Sequence, residues 1–185
     1  MAKEAGIEMN ECRLLEENGR AHFMTKRFDR TDSGEKIHMQ SLCGIRHFDF
    51  NQVGVYSYEQ VFETMRMLRL TYPEAEQQFV RMVFNVLARN CDDHTKNFAF
   101  LMDQSGKWAL SPAYDICHAY RPGSIWVSRQ SLQVNGKREE ITDSDFLEVA
   151  KKMNSYLDYA LPRIRYIPVP QVPHVPFIAL RPFFI

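Results

Sequence analysis

Residues Asn90 to Asp115 read NCDDHTKN, FAFLM, DQSG, KWAL and SPAYD: a polar loop, an apolar run, a turn, a second apolar run and an acidic exit. The loop is too hydrophilic to continue a buried helix. Phe98 to Met102 and Lys107 to Leu110 flank a glycine-containing turn, the pattern of a short hairpin, and Ser111-Pro112 closes its second strand. Such a hairpin would return Asp115 to the side of the loop that holds Asp92 and Asn97, which lie five residues apart. Their chemistries are complementary. A carboxylate can orient an attacking hydroxyl and accept its proton, an amide oxygen can ligate magnesium without adding charge, and a second carboxylate can hold the metal against nucleotide phosphates.

Outward from this stretch, the preceding segment reads as helix. Thr71 to Glu74 supplies a start with Pro73 in the first turn, and Phe79, Met82, Val83, Val86 and Leu87 repeat on one face. An earlier helix begins after Ser57, with Gln60 three residues on, and buries Val61, Phe62, Met65 and Leu68. Ala21 to Phe28 reads as a strand behind the turn Glu17 to Arg20, and Trp126 to Val134 as including another extended piece before Asn135-Gly136. Thr142 and Asp145 cap a last helix carrying Phe146, Val149, Ala150 and Met153. From Leu161 onward six prolines forbid regular helix or central strand.

The chain of 185 residues suits one core, alone or as part of a larger protein. Basic and acidic residues both number 23, which removes the overall positive field that would steer the chain onto nucleic acid or an anionic bilayer, so neither partner is expected. There is no apolar run of membrane-spanning length and no export signal after Met1. Cys12, Cys43, Cys91 and Cys117 form no CxxC pair and read as reduced thiols of a cytoplasmic protein.

Several neighbours of the loop carry two readings. His94 either braces the loop by hydrogen bonding or takes part in metal or proton-transfer chemistry. Asp93 reads as a solvated neighbour, and Lys96 as a point charge for the transferred phosphate. Cys91 belongs to packing, because a carboxylate beside it raises its pKa. Trp108 and Tyr114 are core or hairpin aromatics that could also edge a nucleotide pocket. Lys26, Arg27, Arg30 and Lys36 form a small positive cluster, suited either to phosphate or to plain solvation, and Arg138 to Glu140 read as surface.

The spacing of Asp92 and Asn97 matches the D-x-x-x-x-N catalytic loop of protein kinases, followed downstream by a metal-binding aspartate. With Arg27 to Arg30, His38 to Cys43, Phe84 to Phe98 and Leu110 to Ile116, the chain resembles the HipA family of serine/threonine kinases, the toxins of bacterial toxin-antitoxin pairs, over about Ala2 to Ala160. The resemblance implies an α+β fold: a mainly helical, protein-kinase-like C-terminal lobe with a short β-hairpin at the active site. It divides the chain into residues 1–30 as the end of an N-terminal lobe and hinge, 31–160 as the C-terminal lobe, and 161–185 as a proline-rich tail. Carried over by residue, Asp92 is the catalytic aspartate and Asn97 and Asp115 the magnesium ligands. Phe28 is the hinge residue whose backbone meets adenine, with Arg27 beside it. ATP and magnesium are the implied cofactors.

The family carries a phosphate-covering loop and a lysine ahead of the hinge, and only 27 residues precede Phe28 here. Both are expected outside this chain, as is part of the C-terminal helical region. The leading expectation is therefore an ATP-dependent serine/threonine kinase of this type, or its catalytic-lobe fragment, acting on a protein substrate. An antitoxin, the N-terminal lobe or self-association would cover the apolar face near Phe23 to Phe28. The alternatives are an inactive binding or regulatory lobe that needs a partner, and a metal-dependent phosphohydrolase.

Overall fold

The computed structural model describes residues 1–157; the proline-rich segment from Leu161 lies outside them. Three helices form the core, and each start is built from a short polar exchange. In α2 (Tyr58–Met67), Gln60 Oε1 accepts the Ser57 N–H at 2.9 Å. In α3 (Tyr72–Leu87), the Glu74 carboxylate accepts the Thr71 N–H and hydroxyl, both at 2.7 Å, and Pro73 occupies a first-turn position where no intrahelical N–H bond is lost. Asp145 does the same for Thr142 ahead of α4 (Asp143–Leu157), at 2.9 and 2.8 Å. Val61, Phe62 and Met65 of α2 meet Phe79, Met82 and Val83 of α3 and Phe146, Val149, Ala150 and Met153 of α4 in one buried cluster.

A three-stranded antiparallel sheet closes that cluster. Its order is β3 (His38–Ser41), β4 (Ala99–Met102), β5 (Trp108–Leu110), with Gln40 opposite Phe100 and Leu101 opposite Ala109. β4 and β5 are the hairpin expected from sequence; β3 is a third strand. Ser41 ends β3 and caps the short α1 (Leu42–Arg46), its hydroxyl accepting the Gly44 N–H at 3.2 Å. Helices with a small antiparallel sheet make this the α+β arrangement expected of a kinase C-terminal lobe.

The N-terminal part differs from expectation. The strand predicted at Ala21 to Phe28 is β2 (Arg20–Thr25), and its partner is β1 (Cys12–Glu17), immediately ahead of it in the chain. Asn18 and Gly19 join them with φ of 52° and 73°, the left-handed pair that a two-residue hairpin turn requires. β2 stops short of Phe28; beyond its end Arg27 turns its guanidinium onto Asp29, with bonds of 2.8 and 2.6 Å. Both strands are exposed along their whole length.

Of Trp126 to Val134, only the end is extended. The rest runs as turns and bends until Gln133 bridges Ser57, and Asn135-Gly136 then forms a tight turn in which Val134 and Lys137 exchange backbone bonds of 2.8 and 3.0 Å. The N–H groups of Ser131 and Leu132 go to the Asp93 carboxylate, not to a neighbouring strand. No helix among the described residues is long and apolar enough to cross a membrane.

Candidate active site

The polar loop is fixed at both ends. After α3, Arg89 takes φ 52° and reverses the chain, and the Asn90 N–H returns to the Asn85 carbonyl at 2.8 Å. A parallel bridge then joins Asn90 to Ala119: Cys91 N–H donates to the Ala119 carbonyl and Ala119 N–H to the Arg89 carbonyl, both at 3.1 Å. This crossing lays the segment after Asp115 beside the loop. At the far end the Asn97 N–H donates to the His94 carbonyl and its Nδ2 to the Asp92 carbonyl, each at 2.9 Å.

Three cavities hold the residues singled out from sequence, and the loop lines two of them. Asn97 and Asp115 line one small chamber of about 20 Å³ together with Arg81, Asn85 and Asn90. Asp92, with its side chain 45% exposed, and His94 line a separate groove of about 340 Å³. Arg27 and Phe28 line a third hollow of about 450 Å³ beside Leu101 and Pro112. Although Asp92 and Asp115 face different cavities, both bear on one thiol: burial pushes the Cys117 pKa up, and the Asp115 and Asp92 charges add to the shift. Tyr114 links the outer two regions. Its ring lies 5.3 Å from that of Phe28, and its hydroxyl donates to the Lys96 carbonyl.

The flanking side chains depart from several expectations. Asp93 is not a solvated neighbour but 1% exposed. Its carboxylate accepts the Tyr58 hydroxyl at 2.7 Å, the Ser131 N–H at 2.6 Å and the Leu132 N–H at 3.4 Å. Burial outweighs those bonds and raises its pKa to about 6. His94 does not brace the loop by a close side-chain hydrogen bond. Its Nε2 is 3.9 Å from Asp92 Oδ1, its buried Nδ1 has no partner, and its ring packs edge-on to Phe50 at 5.7 Å. Lys96 places its ammonium 3.2 Å from the Phe50 ring centroid, a cation–π contact.

The positive cluster is largely neutralised: Arg27 and Arg30 both pair with Asp29, and Lys26 with Asp32. Arg138 is held inward, its Nε donating to the Gln130 carbonyl at 2.6 Å and its guanidinium lying against Gly54. A Cβ on Gly54 would come within 2.7 Å of that group, and its φ of 78° independently favours glycine. Cys91 is a packing residue, pushed to about 11 by burial and next by Asp93.

Sequence reasoning missed the polar scaffold behind the loop. Asn85 Nδ2 donates to the Tyr58 hydroxyl at 3.1 Å, and Asn90 Nδ2 reaches Asn85 Oδ1 at 3.0 Å and the Asp115 carbonyl at 3.4 Å. Periodicity could have found two members: Tyr58 precedes Val61, Phe62 and Met65 on the buried face of α2, and Asn85 follows Gln78 and Met82 on that of α3. Arg81, buried in the same chamber, reaches only the Glu8 carbonyl at 3.5 Å with Nη2, leaves Nε without a partner, and has its pKa lowered to about 10 by burial.

The donor set fits a magnesium ion that phosphates help to hold. Asn97 commits its Nδ2 to the Asp92 backbone carbonyl, which leaves its amide oxygen as the donor for a cation, and Asp115 is the acidic residue that lines the same chamber beside Asp93. Two oxygens are too few for a self-sufficient centre, and among the described residues no three His, Cys, Asp or Glu side chains converge as one. Magnesium normally completes its shell with water and substrate phosphate.

Residues 1–167 match the family described as the HipA-like C-terminal domain. The chain belongs to that family. A Haemophilus influenzae protein named "Putative kinase" is 28% identical over 61% of this chain and 37% of its own length. This HipA-like chain therefore spans well under half of that curated relative. In fold, it matches HipA from the Shewanella oneidensis complex of HipA, HipB and operator DNA with a TM-score of 0.65 at 17% identity, covering 89% of this chain and 48% of that one. It also matches the Helicobacter pylori proinflammatory kinase CtkA with a TM-score of 0.55 at 14% identity, covering 89% and 73%.

Proposed function

We propose that this HipA-like domain is the catalytic lobe of an ATP-dependent serine/threonine kinase. On this reading residues 31–160 form the lobe and residues 1–30 end the N-terminal lobe and supply the hinge. The observation that carries it is the convergence of Asn97 and Asp115 on one chamber, with Asp92 held beside them through its carbonyl bond to Asn97. Asp92 orients the acceptor hydroxyl and takes its proton as the oxygen attacks the γ-phosphorus. The bond from that phosphorus to the bridging oxygen breaks, leaving ADP and a phosphoester. Bound magnesium supplies charge neutralisation for the phosphates. Asn97 and Asp115 would hold it, Phe28 and Arg27 would border the adenine, and Lys96, now 3.2 Å from the Phe50 ring centroid, would supply a positive charge to the transferred phosphate. His94, packed edge-on to Phe50 and 3.9 Å from Asp92, would accompany Asp92 at the acceptor side.

A second reading is a lobe that acts only with a partner, and the fully exposed β1–β2 hairpin favours it. Leu14 and Phe23, directly opposite in register, are 64% and 67% exposed. An isolated two-stranded hairpin is marginal in water, so a covering N-terminal lobe, an antitoxin-like protein or a second copy would stabilise it. Incubation with labelled magnesium-ATP and a protein substrate separates the readings. Phosphoserine or phosphothreonine supports the kinase, free phosphate without labelled protein points to a phosphohydrolase, and neither product leaves the partner-dependent lobe.

A further inference from the structure

The groove beside Asp92 is separate from the chamber of Asn97 and Asp115, so the base and the metal ligands open toward different ligands. Its lining takes Phe50, Asn51 and Val53 from one segment and Trp126, Val127 and Ser131 from another, together with Asp92 and His94 of the loop. Asp92 is the only carboxylate among the described residues lining it. Trp126 is 50% exposed and the adjoining Ile125 is 78% exposed, an apolar rim left in water. The rim is nevertheless built. The Ser124 hydroxyl accepts the N–H groups of Trp126 and Val127 at 3.2 and 3.3 Å, and Arg121 N–H donates to the Val127 carbonyl at 3.1 Å. Asp93, next to Asp92, ties this wall to the loop through Ser131.

We infer that the groove receives the acceptor polypeptide, with a serine or threonine hydroxyl at Asp92 and an adjacent apolar side chain on Trp126 and Phe50. The inference rests on the kinase reading of Asp92. A carboxylate that must accept a hydroxyl proton needs the acceptor on its open side, and this groove is the open side. Its apolar walls gain from covering an apolar neighbour, and an aromatic anchor in a pocket is the usual centre of such a contact. The lining offers no second carboxylate to select a basic flank, so selectivity falls on hydrophobic residues next to the hydroxyl.

Trp108 and Trp126 are the two tryptophans, so Trp108→Phe leaves Trp126 as the sole indole reporter. Peptides with a central serine flanked by leucines should shift its emission to the blue and bind at least about tenfold tighter than the same peptides flanked by glycines. Calorimetry on the otherwise native chain should show Trp126→Ala losing that preference with an unchanged circular dichroism spectrum. Unaltered emission with the leucine peptide, or equal affinity for the two peptides, overturns the inference. Selective binding without phosphate transfer from magnesium-ATP keeps the groove and leaves the partner-dependent lobe in place of a self-sufficient kinase; equal phosphorylation of both peptides keeps the kinase and overturns the groove's role.

Discussion

The Tyr58 hydroxyl of α2 donates a 2.7 Å hydrogen bond to the buried Asp93 carboxylate in the polar loop after α3. Asn85 donates to the same hydroxyl, and Asn90 links Asn85 to the backbone of Asp115. The positions of Asp92 and Asp115 are thus set by a chain of buried amides and one phenol, not by contacts between the two carboxylates.

Tyr58→Phe should destabilise the fold by about 1–3 kcal/mol, because the buried Asp93 carboxylate loses a donor and the buried Asn85 amide loses its acceptor. Urea unfolding with an unchanged slope and a lowered midpoint would register it. A change smaller than about 0.5 kcal/mol, the scatter expected of a surface substitution, would show that the network bears little of the load.

Asp93 also predicts a pH dependence. With its folded pKa near 6 against an ordinary 3.8, the folded protein retains a proton between about pH 4 and 6 that the unfolded chain has released. Its contribution to stability therefore falls as pH rises through that window and is level above it, by up to about 3 kcal/mol. The difference in unfolding free energy between the native chain and Asp93→Asn should carry that slope. Parallel pH profiles would remove Asp93 as its source.

Asp92→Asn should abolish phosphoryl transfer and leave the fold intact, since its side chain is 45% exposed and the bond to Asn97 is made by its backbone carbonyl. Turnover at the native rate would exclude Asp92 as the base. Loss of the native circular dichroism spectrum would assign it a structural role.

Much of this arrangement was readable from local pattern. The starts of α2 and α3, the β4–β5 hairpin and the cap of α4 each arise from residues three or four apart, where propensity and side-chain chemistry agree. What escaped was long-range. Asp93 sits between Asp92 and His94 in a polar run, and nothing local reveals that Tyr58, 35 residues earlier, and Ser131, 38 residues later, close over it. β3 was missed for the same reason, since its one partner, β4, is far along the chain. The loop spacing pointed to Asp92, Asn97 and Asp115, but only coordinates could separate the chamber of Asn97 and Asp115 from the groove of Asp92.

The chain by itself should bind magnesium-ATP more weakly than about 10 µM, because on the proposed reading the described residues would meet the phosphates chiefly through metal held by Asn97 and Asp115. Isothermal titration with and without magnesium would measure this. Low-micromolar binding by the monomer, accompanied by turnover on a protein substrate, would contradict it.

The β1–β2 hairpin hangs between two moored points. On one side the Glu8 carbonyl accepts the Ala113 N–H at 2.8 Å, and on the other the Phe28 ring lies 5.3 Å from that of Tyr114. Between these moorings the hairpin lends no side chain to the core, so opening it forfeits little beyond its own ladder. Amide exchange there should run at a rate unrelated to that of α3. Residues 12–25 can thus be recast against another surface while the loop of Asp92 keeps its shape, so docking and chemistry can vary independently in this chain.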